Sequence, residues 1–262
     1  MTKLQDIKCY LLDMDGTFYL GNNLIPGTLD FMQLLKEKGR DYLFVTNNSS
    51  CDADFYAEKL SRMGWQSTPN DVLTSGEATA IYIKKQKPNA KVYLLGTPQL
   101  EAEFASHGFI LTDNQPDYVV IGFDKSLTYQ KLVTACNLIR AGVPFIATHP
   151  DINCPTEDSF IPDCGAMLAL IKASTGVVPQ KIIGKPNEEI VEAVLMEKKY
   201  QRSEIAMVGD RLYTDIATGK KAGITSILVM SGETTAETLK NSDIQPDYVF
   251  DNLGELAKTL AK

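Results

Sequence analysis

At both ends of the chain, short apolar runs alternate with segments of helical spacing, and this alternation constrains the fold most. Near the N-terminus, Ile7–Leu12 reads as a strand and Leu29–Lys38 as a helix closed by Gly39. Tyr42–Val45 reads as a second strand, and Ala53–Met63 and Gly76–Lys85 as further helices. The rhythm returns after Ile182-Ile183. Pro186 is expected to open a helix over Asn187–Lys199 from the favoured first-turn position. Strands are predicted at Ile205–Val208, Ser226–Met230 and Tyr248–Phe250, with helices at Thr214–Lys221 and Leu253–Leu260. The pattern predicts an α/β fold with a doubly wound parallel sheet.

A block over 79–180 carries strands of its own at Val92–Leu95, Tyr118–Ile121 and Pro144–Thr148, with helices near 98–107, 128–141 and 165–174. It stands between two halves of one sheet, so it reads as an inserted α/β domain, with 1–78 plus 181–262 forming the core. Gln115-Pro116-Asp117-Tyr118-Val119 reappears as Gln245-Pro246-Asp247-Tyr248-Val249. No fixed period surrounds the pair, so it reads as two strands each entered through a proline.

The strand ends carry the chemistry. The first, at Leu12, runs into Asp13 and Asp15, followed by Gly16 and Thr17. Residues i and i+2 of a strand share a face, which would aim both carboxylates into one crevice. Two carboxylates there suit a hard divalent cation such as Mg²⁺, or a division of labour between nucleophile and general acid. Tyr42–Val45 ends on Thr46-Asn47-Asn48, whose hydroxyl and N–H groups could bind phosphate oxygens; alone, it is an ordinary polar loop. Lys185 in Gly184-Lys185-Pro186 could neutralise a phosphate. Ile205–Val208 ends on Gly209-Asp210, with Asp215 five residues on; Asp210 could complete a metal site, and Asp215 could hold its geometry or merely favour a helix start.

Composition narrows the class. The net charge of −7 and the absence of a basic block speak against nucleic acid. No apolar run approaches the ~20 residues of a membrane span, and the N-terminus is too acidic for a secretory signal. The five cysteines are scattered without a CxxC pair, which fits a reduced, cytoplasmic setting. Cys9 and Cys136 read as core residues.

In their order along the chain, Asp13–Thr17 (D-x-D-G-T), Thr46–Asn48 (T-N-N), Gly184–Pro186 (G-K-P) and Gly209–Asp215 (G-D-x-x-x-T-D) resemble the motifs of the haloacid dehalogenase-like (HAD) superfamily. The large insertion between the second and third motifs resembles the type-two cap of its NagD-like phosphatases. The resemblance implies a Mg²⁺-dependent phosphatase acting on small phosphate monoesters, such as a sugar phosphate, a nucleotide monophosphate, phosphoglycolate or p-nitrophenyl phosphate. It implies Asp13 as the nucleophile that becomes an aspartyl-phosphate, and Asp15 as the acid and then base. Thr46, Asn47 and Lys185 would bind the phosphoryl group. The Asp13 carboxylate, the Asp15 main-chain carbonyl and Asp210 would hold Mg²⁺, supported by Asp215. Phe18–Ile25 would be a flap hairpin turning at Gly21-Asn22-Asn23. The partner is a small phosphorylated metabolite, with neither nucleic acid nor membrane; whether the chain forms a homodimer is left open. A phosphomutase and a phosphate-binding regulatory protein without turnover are the rival readings.

Within the insertion, Thr148-His149-Pro150-Asp151 and Pro162-Asp163-Cys164-Gly165 are the distinctive loops. His149 reads as an ordinary loop residue or a substrate contact, and Cys164 as non-catalytic; whether Asp151 or the 162–165 loop meets substrate is left open. A helix beginning at Gly165 could offer N–H groups to an anion.

Overall fold

The computed structural model describes residues 2–156 and 159–262. The chain packs as two compact units. One comprises Met1–Thr46, Tyr56–Leu73 and Lys185–Lys262, and the other Asn47–Phe55 and Thr74–Gly184.

The first unit is built on a six-stranded sheet in the order Tyr248–Phe250, Thr225–Val229, Ile205–Gly209, Cys9–Leu12, Asp41–Thr46, Val72–Thr74. The strands from Tyr248–Phe250 across to Asp41–Thr46 pair in parallel. Every residue of Cys9–Leu12, Ile205–Gly209 and Thr225–Val229 is buried, which explains why these strands read as unbroken apolar runs. From Cys9–Leu12 the chain winds outward to one edge, and from Ile205–Gly209 to the other. The order therefore reverses between these two strands, and in such sheets ligands bind off the carboxyl ends at that point. Leu253, Leu256, Ala257 and Leu260 bury one face of the closing helix Leu253–Leu260.

The second unit has its own five-stranded sheet: Lys181–Ile182, Phe145–Ala147, Tyr118–Ile121, Lys91–Leu95, Ile110–Leu111, with parallel pairing throughout. Its core includes Leu95, Val119, Ile121, Phe145, Cys136 and Cys164. Asn153–Pro155 pairs antiparallel with Phe160–Pro162. This unit is wider than the expected insertion over 79–180. Helix Ser75–Gln86 starts before residue 79, Lys181–Ile182 pairs with Phe145–Ala147, and Asn47–Phe55 packs here as well.

The repeated pentapeptide performs the same task in both sheets. The Asp117 N–H donates to the Lys91 carbonyl at 2.7 Å, and its carboxylate accepts the Lys91 N–H at 2.8 Å and the Lys87 ammonium at 2.7 Å. The Asp247 N–H donates to the Ser226 carbonyl at 2.9 Å, and its carboxylate accepts the Ser226 N–H at 2.8 Å and the Lys220 ammonium at 2.6 Å. The next residues pair as Val92 with Tyr118 and Ile227 with Tyr248. Each aspartate thus closes a reciprocal ring at its strand's entrance and sets the register.

Two expectations are corrected. The helix after Pro186 covers Glu189–Glu197, because turn residues from Lys185 to Glu188 precede it. The segment read as one helix over Thr214–Lys221 is a π-helical turn, Leu212–Ile216, running into an α-helix, Ala217–Ala222. The expected hairpin forms as Tyr19–Leu20 with Asn23–Leu24. All five cysteines are free thiols. No helix of the described residues is long and apolar enough to cross a membrane.

Candidate active site

Asp13 follows the strand Cys9–Leu12 and Asp210 follows Ile205–Gly209, adjacent parallel strands that pair Leu12 with Val208. The Asp13 N–H continues the ladder by donating to the Val208 carbonyl at 2.9 Å. Thr46 ends the strand on the other side, where Leu12 pairs with Phe44. The parallel sheet thus delivers all three residues at its carboxyl edge.

Lys185 arrives from the turn, where the Lys185–Pro186 peptide is cis. Its ammonium donates to Asp215 Oδ1 at 2.7 Å and to Asp13 Oδ1. The lysine is almost wholly buried, which requires paired anions. The π-helical turn bends Asp215 back over the end of its own strand. There its other oxygen accepts the Arg211 N–H at 3.1 Å. Gly209 makes room for this, since a Cβ there would fall 2.2 Å from the Asp215 carboxyl carbon.

Asp210 is buried; its Oδ2 accepts the Glu233 N–H at 2.7 Å, and its Oδ1 has no hydrogen-bond partner among the described residues. Carboxylate oxygens of Asp13, Asp210 and Asp215 lie within 4.8 Å of one another. Burial pushes the Asp13 carboxyl up to about 7, helped by Asp215 and Asp210 and opposed by Lys185. Burial and the charge of Asp215 push Asp210 up to about 6. For Lys185, burial acts to lower the pKa, but Asp13 and Asp215 overcome it and hold the ammonium above the usual lysine range. The guanidinium of Arg211 pairs with Glu233 at 2.9 Å. Three clustered carboxylates against one ammonium leave two negative charges, which a divalent cation would match.

The strand before Asp15 ends at Leu12, and the chain turns through Gly16–Phe18 just after it. The Asp15 side chain is exposed and stands outside the carboxylate group, while its backbone bridges to Tyr19.

In the second unit, the Asn47 side-chain amide donates to both carboxylate oxygens of Asp151, at 3.1 and 3.2 Å, and the Ser75 hydroxyl donates to the Asn47 carbonyl. His149, read as a loop residue, is fully buried. Its Nδ1 lies 2.9 Å from the Thr148 hydroxyl and 3.2 Å from that of Ser75, and its Nε2 lies 2.8 Å from Asp163. The helix expected to offer N–H groups to an anion has them engaged. Cys164 donates to the Asp163 side chain at 2.6 Å, Gly165 to the Asp151 carbonyl at 2.7 Å and Ala166 to the Asp163 carbonyl at 3.0 Å. A Cβ at Gly165 would fall 2.2 Å from the Pro150 carbonyl oxygen, so this glycine serves a backbone contact within the unit. Burial pushes the Cys164 thiol up to about 12, which makes it inert.

Residues 10–110 match the family model of haloacid dehalogenase-like hydrolases, and residues 182–256 match a HAD-hydrolase-like model. The chain belongs to the haloacid dehalogenase-like hydrolases. The acid sugar phosphatase of Staphylococcus aureus strain MRSA252 is 41% identical over 260 residues, covering 99% of this chain and 100% of the relative. A 4-nitrophenylphosphatase from Thermotoga maritima superposes with a TM-score of 0.95 at 50% identity, covering 98% of each chain. A glycerol phosphate phosphatase from Mycobacterium tuberculosis, solved with calcium, superposes with a TM-score of 0.90 at 31% identity over 97% of this chain and 76% of that one. These relatives place the chain with the NagD-like phosphatases of the HAD family.

Within this HAD protein, Asp13, Lys185, Asp210 and Asp215 come together. The sequence reading did not pick out Ser75, Glu233 or Thr234. A signal for the last two was present. Ser226–Met230 is another apolar strand ending in small polar residues, the pattern that marked Asp13 and Asp210.

Proposed function

We propose that the chain hydrolyses small phosphate monoesters through an aspartyl-phosphate on Asp13, with Mg²⁺ as cofactor. The observation that carries this reading is the buried Lys185 bound to Asp13 and Asp215 beside an Asp210 oxygen that has no hydrogen-bond partner among the described residues. The donor set is all oxygen and carries excess negative charge, which fits a hard divalent cation. The Asp13 carboxylate, the Asp15 main-chain carbonyl and Asp210 would hold the ion, with Asp215 fixing Lys185. When bound, Mg²⁺ would neutralise phosphoryl oxygens and offset the burial that raises the Asp13 pKa.

In the first step, an Asp13 carboxylate oxygen attacks phosphorus in line, and the bond to the ester oxygen breaks. Asp15 gives that oxygen a proton. In the second step, Asp15 takes a proton from water, whose oxygen attacks phosphorus; the Asp13–phosphorus bond breaks and inorganic phosphate leaves. Lys185 stabilises charge on the transferring group, and Thr46 and Asn47 contact its oxygens.

The test is a phosphate-release assay on p-nitrophenyl phosphate and a panel of sugar phosphates, nucleotide monophosphates and phosphoglycolate. Release should require Mg²⁺, stop with EDTA and return when Mg²⁺ is restored. No inorganic phosphate from any substrate, with the protein folded, would sink the reading. A product that retains the phosphoryl group would mark a phosphomutase instead.

A further inference from the structure

We infer that the loop Ser231–Thr234 is a positioning clamp for the metal-binding residues: it locks Asp210 in one pose and ties the Asp15–Gly16 turn beside it. The inference rests on the metal reading above.

Three bonds converge on Asp210 from this loop. The Glu233 N–H donates to Oδ2 at 2.7 Å, and the Thr234 N–H at 3.3 Å and hydroxyl both donate to the Asp210 main-chain carbonyl. A fourth bond reaches the other ligand segment, where the Ser231 hydroxyl donates to the Gly16 carbonyl at 2.8 Å.

Space enforces the same pose. A Cβ on Gly232 would fall 2.0 Å from Asp210 Oδ2, and one on Gly16 would fall 2.4 Å from the same atom. Two segments far apart in sequence thus press bare backbone against one carboxylate oxygen. With Oδ2 fixed by an N–H and walled by two glycines, the carboxylate cannot rotate, and Oδ1 is left as the buried oxygen without a partner. A buried acceptor is costly to leave unsatisfied. Here the loop spends its own donors on one oxygen and on the main chain, and reserves the other oxygen for the ion.

Outer contacts of this kind typically change metal affinity by about 10- to 100-fold. The clamp therefore predicts that Thr234→Val, which keeps side-chain shape but removes the hydroxyl, weakens Mg²⁺ binding by about 10- to 100-fold in calorimetric titration. Thr234→Ser, which keeps the hydroxyl and its bond to the Asp210 carbonyl, should bind Mg²⁺ as tightly as the unaltered protein. A hydroxyl that served the fold alone would change the melting midpoint without changing the Mg²⁺ affinity of the folded protein. Folded Thr234→Val that binds Mg²⁺ as tightly as the unaltered protein overturns the inference, as does a Thr234→Ser that binds as weakly as Thr234→Val. Should Thr234→Val not fold, Ser231→Ala carries the test: weaker Mg²⁺ binding supports the clamp and unchanged binding overturns it. Failure of the unaltered protein to bind Mg²⁺ overturns the metal reading and this inference together, whereas loss confined to the variants leaves both standing.

Discussion

Asp13→Asn is expected to lower phosphate release by about 10⁴-fold or more, because removing a group that forms the covalent intermediate leaves only binding and charge stabilisation behind. The amide keeps the shape of the carboxyl but cannot attack phosphorus. The fold should survive. Lys185 retains Asp215, which accepts from it at 2.7 Å, and the substitution removes a carboxylate that burial already disfavours. Steady-state phosphate release and a melting midpoint in EDTA check both halves. Turnover within tenfold of the unaltered protein would exclude Asp13 as the nucleophile.

Lys185→Met should damage both stability and activity. The ammonium is the shared partner of two carboxylates, and removing one member of a buried pair costs about 3–5 kcal/mol. The charge it supplies to the transferring group is worth about 100- to 1000-fold in turnover. The stability loss has a definite pH dependence. Burial already raises Asp13 to about 7, and without the lysine its carboxyl binds a proton more tightly still. An aspartate raised in the folded state is ionised in the unfolded chain above about pH 4. Its cost is therefore fully felt above the folded pKa and fades as pH falls toward the unfolded value. Urea unfolding of the metal-free variant should show a large deficit at pH 8 that shrinks at pH 5. A deficit that grows on acidification would contradict the ion-pair assignment.

Much of this site could be read from the sequence because a parallel sheet delivers its functional groups locally, at strand ends. Asp13, Thr46 and Asp210 each follow an apolar run, and the alternation that marks a strand also marks where it stops. The parts that escaped are set by tertiary pairing. Asn47 meets Asp151 across 104 residues, and Ser75 meets His149 across 74. Neither local spacing nor residue type foretells such pairs. Short strands such as Val72–Thr74 and Ile110–Leu111 offer too few residues for a period to show. The turn at Gly16–Phe18 follows closely on the strand end at Leu12, and no apolar period announces it. Pro186 misled for a related reason: proline is at home at a helix start and equally in a cis turn.

The rings closed by Asp117 and Asp247 make a matched pair of probes. Each sits at the entrance of one strand, one in each compact unit, with the same bonds to the neighbouring strand and to a lysine of the preceding segment. Asp117→Ala and Asp247→Ala are therefore equivalent local perturbations applied to different units. In a calorimetric scan, a chain that melts as one cooperative block should show a single transition lowered by either substitution. A chain whose units melt separately should show two, with each substitution lowering only its own. A five-residue repeat that looked incidental thus allows the cooperativity of the two units to be measured separately from the chemistry at Asp13.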